Sequence, residues 1–125
     1  MKLAVLGAGA WGTALACSAA ASNEVVLWAR DAAQARQMQR TRCNSRYLEG
    51  VTLPQGLRIE VDHSAAVAHA AGGLVIIATP MSALREQLRS LPRGAAAFWL
   101  CKGFESGTGA LGHEVARQEG LHSHC

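Results

Sequence analysis

Lys2-Leu3-Ala4-Val5-Leu6-Gly7-Ala8-Gly9-Ala10-Trp11-Gly12-Thr13-Ala14-Leu15-Ala16 is the stretch that decides the fold. Leu3 to Leu6 is a short apolar run without charge, the pattern of a strand buried on both faces of a parallel sheet. Gly7 to Gly12 spell G-x-G-x-x-G, and residues 13–21 are dominated by Ala and Leu, strong helix formers. The order predicted is strand, glycine turn, helix.

In that context each glycine has its own task. Gly7 allows a tight turn out of the strand, Gly9 lets the backbone come close to a pyrophosphate, and Gly12 lets the new helix pack on the sheet. The free amides and the positive end of the helix dipole then face the phosphates. No side-chain cation is required there, and none lies between Gly7 and Gly12. The plain alternative is a glycine-rich turn that binds nothing. The apolar strand before it and the helix after it are the context the fingerprint demands, so a dinucleotide site is expected.

Glu24-Val25-Val26-Leu27-Trp28-Ala29 reads as a second strand, rich in β-branched and aromatic residues. Arg30-Asp31 follows, roughly 20 residues beyond the glycines, where such folds select their cofactor. An acidic residue at that point favours the ribose hydroxyls of NAD, and an arginine accommodates the 2′-phosphate of NADP. Arg30 suits a phosphate, whereas Asp31 equally suits the N-cap of the next helix. NADPH is the expected cofactor, with NADH tolerated. For Arg30 the structural alternative is a solvated surface charge.

Outward from these two strands, residues 32–42 are expected to form a helix that buries Ala35 and Met38. Residues 43–56, with Asn44, Gly50, Pro54 and Gly56, read as an irregular loop that Tyr47 and Leu48 anchor. Leu57-Arg58-Ile59-Glu60-Val61 alternates as an edge strand does, and Asp62 or Ser64 caps a helix over residues 65–71. Leu74-Val75-Ile76-Ile77-Ala78 is the most apolar run and should be a central strand, placing Thr79-Pro80-Met81 beside the nicotinamide. A helix over 82–91 turns Leu84 and Leu88 inwards. A turn at Pro92-Arg93-Gly94, a buried strand over 95–100 and a last helix over 111–119 complete the pattern. Lys102, just past the 95–100 strand, is placed to meet an anionic substrate or a cofactor phosphate as a point charge. Its alternative is an ordinary surface lysine. Strands alternating with helices predict an α/β, Rossmann-type doubly wound and mainly parallel sheet, a dinucleotide-binding domain over 1–119 and a tail over 120–125.

With 125 residues the chain makes one domain. A net charge of +3, with both signs mixed along the sequence, does not describe a nucleic-acid binder. No apolar run reaches the length of a membrane span, and Met1-Lys2 leads straight into the first strand, so cytoplasm is the expected location. Cys17, Cys43, Cys101 and Cys125 form no C-x-x-C pair and are expected to be reduced. His122, His124 and Cys125 make a poor zinc site at a terminus without a partner cluster. No metal site is expected, and His63, His69 and His113 are isolated in sequence.

Four stretches together resemble the N-terminal domain of bacterial NAD(P)-dependent glycerol-3-phosphate dehydrogenase. They are residues 7–16, Val25-Val26-Leu27-Trp28-Ala29-Arg30, Asn44 with Tyr47-Leu48, and Lys102-Gly103-Phe104-Glu105 with Thr108-Gly109. The last, in its order and spacing after the others, is the most specific. The resemblance implies hydride transfer between NAD(P)H and dihydroxyacetone phosphate, giving sn-glycerol 3-phosphate for phospholipid synthesis. It implies that Ala10, Trp11 and Arg30 contact the cofactor and that Lys102 contacts both cofactor and substrate. Members of the family are longer, with a helical second domain that holds the catalytic lysine. No catalytic residue is therefore assigned here, and the 125-residue chain is expected not to turn over substrate. Two other readings are a stand-alone nucleotide-binding module that senses or scaffolds, and the cofactor domain of a different dehydrogenase of the same superfamily.

Overall fold

Leu3, Ala4, Val5 and Leu6 are all buried, as an uncharged run between two neighbouring strands must be. The computed structural model describes residues 1–92, 95–100 and 112–119. In it the first strand, β1 (Lys2–Leu6), pairs in parallel with β2 (Glu24–Trp28) on one side. On its other side it pairs, again in parallel, with the strand Leu74–Ile77. Short strands complete the sheet, Arg58–Glu60 beside β2 and Ala97–Trp99 beside Leu74–Ile77. A separate antiparallel pair is formed by β3 (Cys43–Asn44) and β4 (Leu48–Thr52). With the later strands numbered β5 (Arg58–Glu60), β6 (Leu74–Ile77) and β7 (Ala97–Trp99), the main sheet has the order β5-β2-β1-β6-β7.

Four helices connect these strands or follow them directly: α1 (Ala10–Ala19), α2 (Ala32–Thr41), α3 (His63–His69) and α4 (Met81–Arg89); α5 (Gly112–Gln118) comes last. Alternation along β1 divides the core in two. Leu3 and Val5 pack with Ala16, Ala35 and Met38 of α1 and α2, and Ala4 and Leu6 pack with Ala66, Leu84 and Leu88 of α3 and α4. The sheet is thus covered on both faces, the doubly wound arrangement. The chain winds outwards from β1 to β5 and then returns through α3 to β6. That reversal opens a crevice at the carboxyl ends of β1 and β6, where ligands of such sheets bind.

Local chemistry explains the boundaries. Asp31 caps α2, accepting from the amides of Ala33 at 2.9 Å and Gln34 at 3.4 Å. Asp62, rather than Ser64, caps α3 through the Ser64 amide at 3.1 Å, so this helix starts at His63. Asn23 closes α1 by donating to the Ala19 carbonyl at 3.0 Å. Helix α5 is tied to α4 through Glu119, which accepts from Arg85 at 2.6 Å and Arg89 at 2.7 Å.

Three expectations need correction. Residues 43–56 are not an irregular loop throughout, because β3 and β4 form a hairpin. Its anchors are Asn44 and Leu53, both buried, while Tyr47 is half exposed. Arg42 supports it from below: at φ 57° it ends α2, and its guanidinium donates to the carbonyls of Pro54 and Leu57. Secondly, the strand expected over 95–100 is buried on one face only. Ala97 and Trp99 enter the core, but Phe98 and Leu100 are 38% and 44% exposed. Among the described residues β7 is an edge strand, and alternation turns Phe98 to the opposite face from Ala97 and Trp99, where it stays partly exposed at the edge. Thirdly, His63 is not isolated. Its ring lies edge-on to Trp28 with centroids 4.7 Å apart, and Nε2 is 2.6 Å from Gln87 Oε1. Arg93, Gly94 and the 120–125 tail lie outside the described residues.

Candidate nucleotide site

The glycine turn is locked between its neighbouring strands. Gly7 N–H donates to the Trp28 carbonyl at 2.9 Å, and Ala78 N–H donates to the Leu6 carbonyl at 2.8 Å. Gly7 has φ 120°, and a Cβ there would lie 2.8 Å from the Ala78 carbonyl carbon and oxygen. At Gly12 a Cβ would collide with the Gly7 carbonyl oxygen. Both positions are therefore glycine because the protein's own backbone comes close. Gly9 is different. It is the N-cap of α1 in an extended conformation (φ −72°, ψ −174°), and among the described residues nothing lies within 4 Å of where its Cβ would be.

Open space at Gly9 coincides with an uncapped helix. Among the described residues no side chain caps α1, and an α-helix has no acceptor of its own for the amides of its first turn, here those of Ala10, Trp11 and Gly12. Their positive end points into a cleft of about 710 Å³. Gly7, Ala8 and Gly9 line it at the centre, facing Ala78, Thr79, Pro80 and Met81 beyond β6. Arg30, Asp31, Gln34, Arg46 and Tyr47 line the end beyond β2. The cleft has the size of a ligand pocket.

A buried polar network fixes the turn from behind. Asn44 Nδ2 donates to the Ala8 carbonyl and to Thr13 Oγ1, both at 2.8 Å. Gln34 Nε2 donates to the same Ala8 carbonyl at 3.2 Å and to Asn44 Oδ1 at 3.3 Å, and the Tyr47 amide reaches Asn44 Oδ1 at 3.3 Å. Asn44 and Thr13 are fully buried. With its carbonyl held inwards, the Ala8–Gly9 peptide turns its N–H side towards the cleft, because a planar peptide carries the two groups on opposite edges.

Of the residues singled out from sequence, Gly7, Gly9 and Arg30 line the cleft. Ala10 and Trp11 occupy the exposed first turn of α1, Trp11 at 81% exposure, and Gly12 is buried beneath it. Lys102 lies outside the described residues. Asp31 commits its carboxylate: beyond the two amides it caps, its second oxygen is 3.3 Å from Arg46 Nη1. The Gln34 and Ala33 amides, and after them Arg46, hold its carboxyl below the ordinary value. Sequence reasoning missed Gln34, Asn44 and Arg46 as parts of the site. Gln34 carried a signal, since it shares the inward face of α2 with Ala35 and Met38, and a polar residue there needs a partner. Among the described residues no cluster of His, Cys, Asp or Glu could hold a metal ion, and no helix is long and apolar enough to cross a membrane.

Known proteins agree with this arrangement. The family model described as the N-terminus of NAD-dependent glycerol-3-phosphate dehydrogenase matches residues 2–124. The glycerol-3-phosphate dehydrogenase (NAD(P)+) of Methylibium petroleiphilum is 60% identical over 121 residues, covering 94% of this chain and 36% of that protein. Its counterpart in Cupriavidus necator is 56% identical over 126 residues, covering 95% of this chain and 37% of that protein. The crystal structure of glycerol-3-phosphate dehydrogenase from Coxiella burnetii superposes with a TM-score of 0.85 at 30% identity, covering 97% of this chain and 38% of that one. The Plasmodium falciparum enzyme, at 24% identity and a TM-score of 0.82, has the same fold. The chain thus spans little more than a third of the length of the relatives it matches. Over that span, glycine turn, sheet order and family model agree: the chain belongs to the NAD-dependent glycerol-3-phosphate dehydrogenase family and corresponds to its N-terminal, nucleotide-binding part.

Proposed function

We propose that this chain binds NADPH, and NADH less tightly, along the cleft beside the glycine turn, as the cofactor half of a glycerol-3-phosphate dehydrogenase. The carrying observation is Gly9: unlike Gly7 and Gly12, nothing among the described residues accounts for its missing side chain. A pyrophosphate brought against the first-turn amides of α1 does account for it. In this reading Gly7, Gly9, Ala10, Trp11 and Gly12 form the phosphate-binding turn through their backbone. Arg30 receives the adenosine end, and Lys102 serves both cofactor phosphate and substrate. The substrate pair is dihydroxyacetone phosphate and sn-glycerol 3-phosphate. When bound, the dihydronicotinamide supplies a hydride to a carbonyl carbon. Residues 79–81, past β6, wall the cleft opposite the turn. The cytoplasm suits a soluble cofactor and substrate. The 125 residues alone are expected to bind nucleotide without oxidising it in the presence of dihydroxyacetone phosphate.

Gly9→Ala tests the reading directly. At φ −72° alanine is tolerated and has free space, so stability should change by no more than about 1 kcal/mol, the order of an N-cap change. The new methyl group stands where the pyrophosphate must approach, so NADPH and NADH should both lose at least about tenfold in affinity, one hydrogen bond's worth or more. Unchanged nucleotide binding by a folded Gly9→Ala chain would refute the site.

A further inference from the structure

Two guanidinium groups, not one, stand at the end of the cleft beyond β2. Arg30 lies two residues past the end of β2, and Arg46 is carried there by the turn between β3 and β4. That turn is seated by Asn44 two residues earlier, through its buried bonds to Ala8 and Thr13. Arg46 is thereby delivered by an anchored element rather than a loose loop, and its guanidinium lies 5.9 Å from the Tyr47 ring centroid. Asp31 stands beside it but is occupied. One carboxylate oxygen accepts the amides of Ala33 and Gln34, and the other faces Arg46 at 3.3 Å. An acidic residue that reads a ribose diol must offer its oxygens to the two hydroxyls, and Asp31 has spent them on its helix and on Arg46.

We propose that Arg46 is the second arm, with Arg30, of a binding site for the adenosine 2′-phosphate, and that Asp31 restrains Arg46 rather than reading the ribose. This rests on the nucleotide-binding reading above. Arg46 keeps more than half of its side-chain exposure, at 54%, and a guanidinium has five N–H donors, so donors remain for an incoming phosphate. A phosphate dianion competes well with a single 3.3 Å contact to a carboxylate, because it offers more acceptor oxygens and charge in a forked geometry. The carboxylate also repels that dianion. Asp31 consequently lowers the preference for NADPH, and NADH remains an acceptable ligand.

Calorimetric titration of the 125-residue chain with NADPH and, separately, NADH tests this, because the two differ only in the 2′-phosphate. Arg46→Gln removes the guanidinium and its charge while leaving a polar side chain at an exposed position. It should weaken NADPH about tenfold and NADH less than about twofold, as loss of one charged phosphate contact does. Asp31→Asn keeps a good N-cap and should tighten NADPH by about threefold or more while leaving NADH unchanged. Equal loss of both nucleotides in Arg46→Gln, or no loss of either, would overturn the role of Arg46 and leave the nucleotide site standing. Selective weakening of NADH in Asp31→Asn would show that Asp31 reads the ribose, and would overturn the inference too. If the unsubstituted chain binds neither nucleotide, the site itself fails and this inference with it.

Discussion

Replacing Asn44 with alanine should show how much the glycine turn depends on residues outside it. Asn44 is fully buried and takes part in four hydrogen bonds. The two short ones, to the Ala8 carbonyl and Thr13 Oγ1 at 2.8 Å, each contribute about 1 kcal/mol net. The two at 3.3 Å, from Gln34 and the Tyr47 amide, contribute less, and the truncated side chain leaves a small void. The expected loss is about 3 kcal/mol, in the range for breaking a buried polar network. For a chain of this length that lowers Tm by about 10 °C. Urea unfolding followed by far-UV circular dichroism and by tryptophan fluorescence gives the free energy and checks that the transition is two-state.

The same substitution frees the Ala8 carbonyl from its better donor, so the amides that follow it are less well aimed. NADPH affinity, measured at low temperature on the folded variant, should fall by about tenfold. Asn44→Asp refines the test. The two side chains have nearly the same size, but an ionised aspartate would present an acceptor to the Ala8 carbonyl, an unpaired charge in a buried place. Burial raises a carboxyl's pKa. Its folded value then exceeds its unfolded one, so the neutral acid is favoured and the deficit of Asn44→Asp should shrink as pH falls and grow as pH rises through the folded pKa. A loss in Asn44→Ala below about 1 kcal/mol, together with unchanged NADPH binding, would refute the claim that Asn44 positions the turn.

Gly12→Ala should cost at least about 3 kcal/mol or prevent folding, because its Cβ meets the Gly7 carbonyl oxygen and backbone cannot yield cheaply; a urea midpoint equal to that of the parent would contradict the close approach. The carboxyls of Asp31 and Glu119 are held below their ordinary values, Asp31 chiefly by the Gln34 amide and Glu119 chiefly by Arg89. Groups with depressed folded pKa values contribute stability that is full above their unfolded values, near about 4, and lost as pH falls through the folded ones. Urea melts between neutral pH and pH 3 should therefore show a shallower acid-side loss in Glu119→Gln than in the parent, and parallel profiles would count against the tie between α4 and α5.

Most of the fold was legible because its signals are local. The uncharged run before Gly7, the Ala-rich stretch after Gly12, the cap at Asp31 and the pair Leu84 and Leu88 each declare themselves within a few residues. The hairpin was not legible. Cys43–Asn44 is a two-residue strand with a register shift, set among Ser, Gly and Pro, so neither period nor composition marks it. The buried face of the site was hidden for a different reason. Gln34 and Asn44 look like solvated polar residues until the fold brings them to one carbonyl, that of Ala8, across 26 and 36 residues of sequence. Propensity cannot report a partnership made at that distance. Lys102, the most specific residue of the family resemblance, stays outside the described residues.

The G-x-G-x-x-G pattern is therefore a smaller unit than the site it announces. Gly7 and Gly12 answer to the protein's own backbone, at Ala78 and within the turn itself, and would be needed even if nothing bound there. Of the three, Gly9 alone has no backbone neighbour within 4 Å of a Cβ among the described residues, and the proposed pyrophosphate contact is what would require it. What holds the turn in place from behind comes from Thr13, Gln34 and Asn44, none of which belongs to the six-residue pattern. A glycine turn moved onto another strand and helix without an asparagine behind its second residue would keep its shape at Gly7 and lose the constraint on the Ala8 carbonyl. The hairpin that supplies the asparagine also carries Arg46, so on the proposed reading one insertion between α2 and β5 would both hold the phosphate turn and equip the adenosine end of the cleft. Changes to that hairpin should then alter pyrophosphate and 2′-phosphate recognition together, whereas changes at Arg30 should alter the second alone.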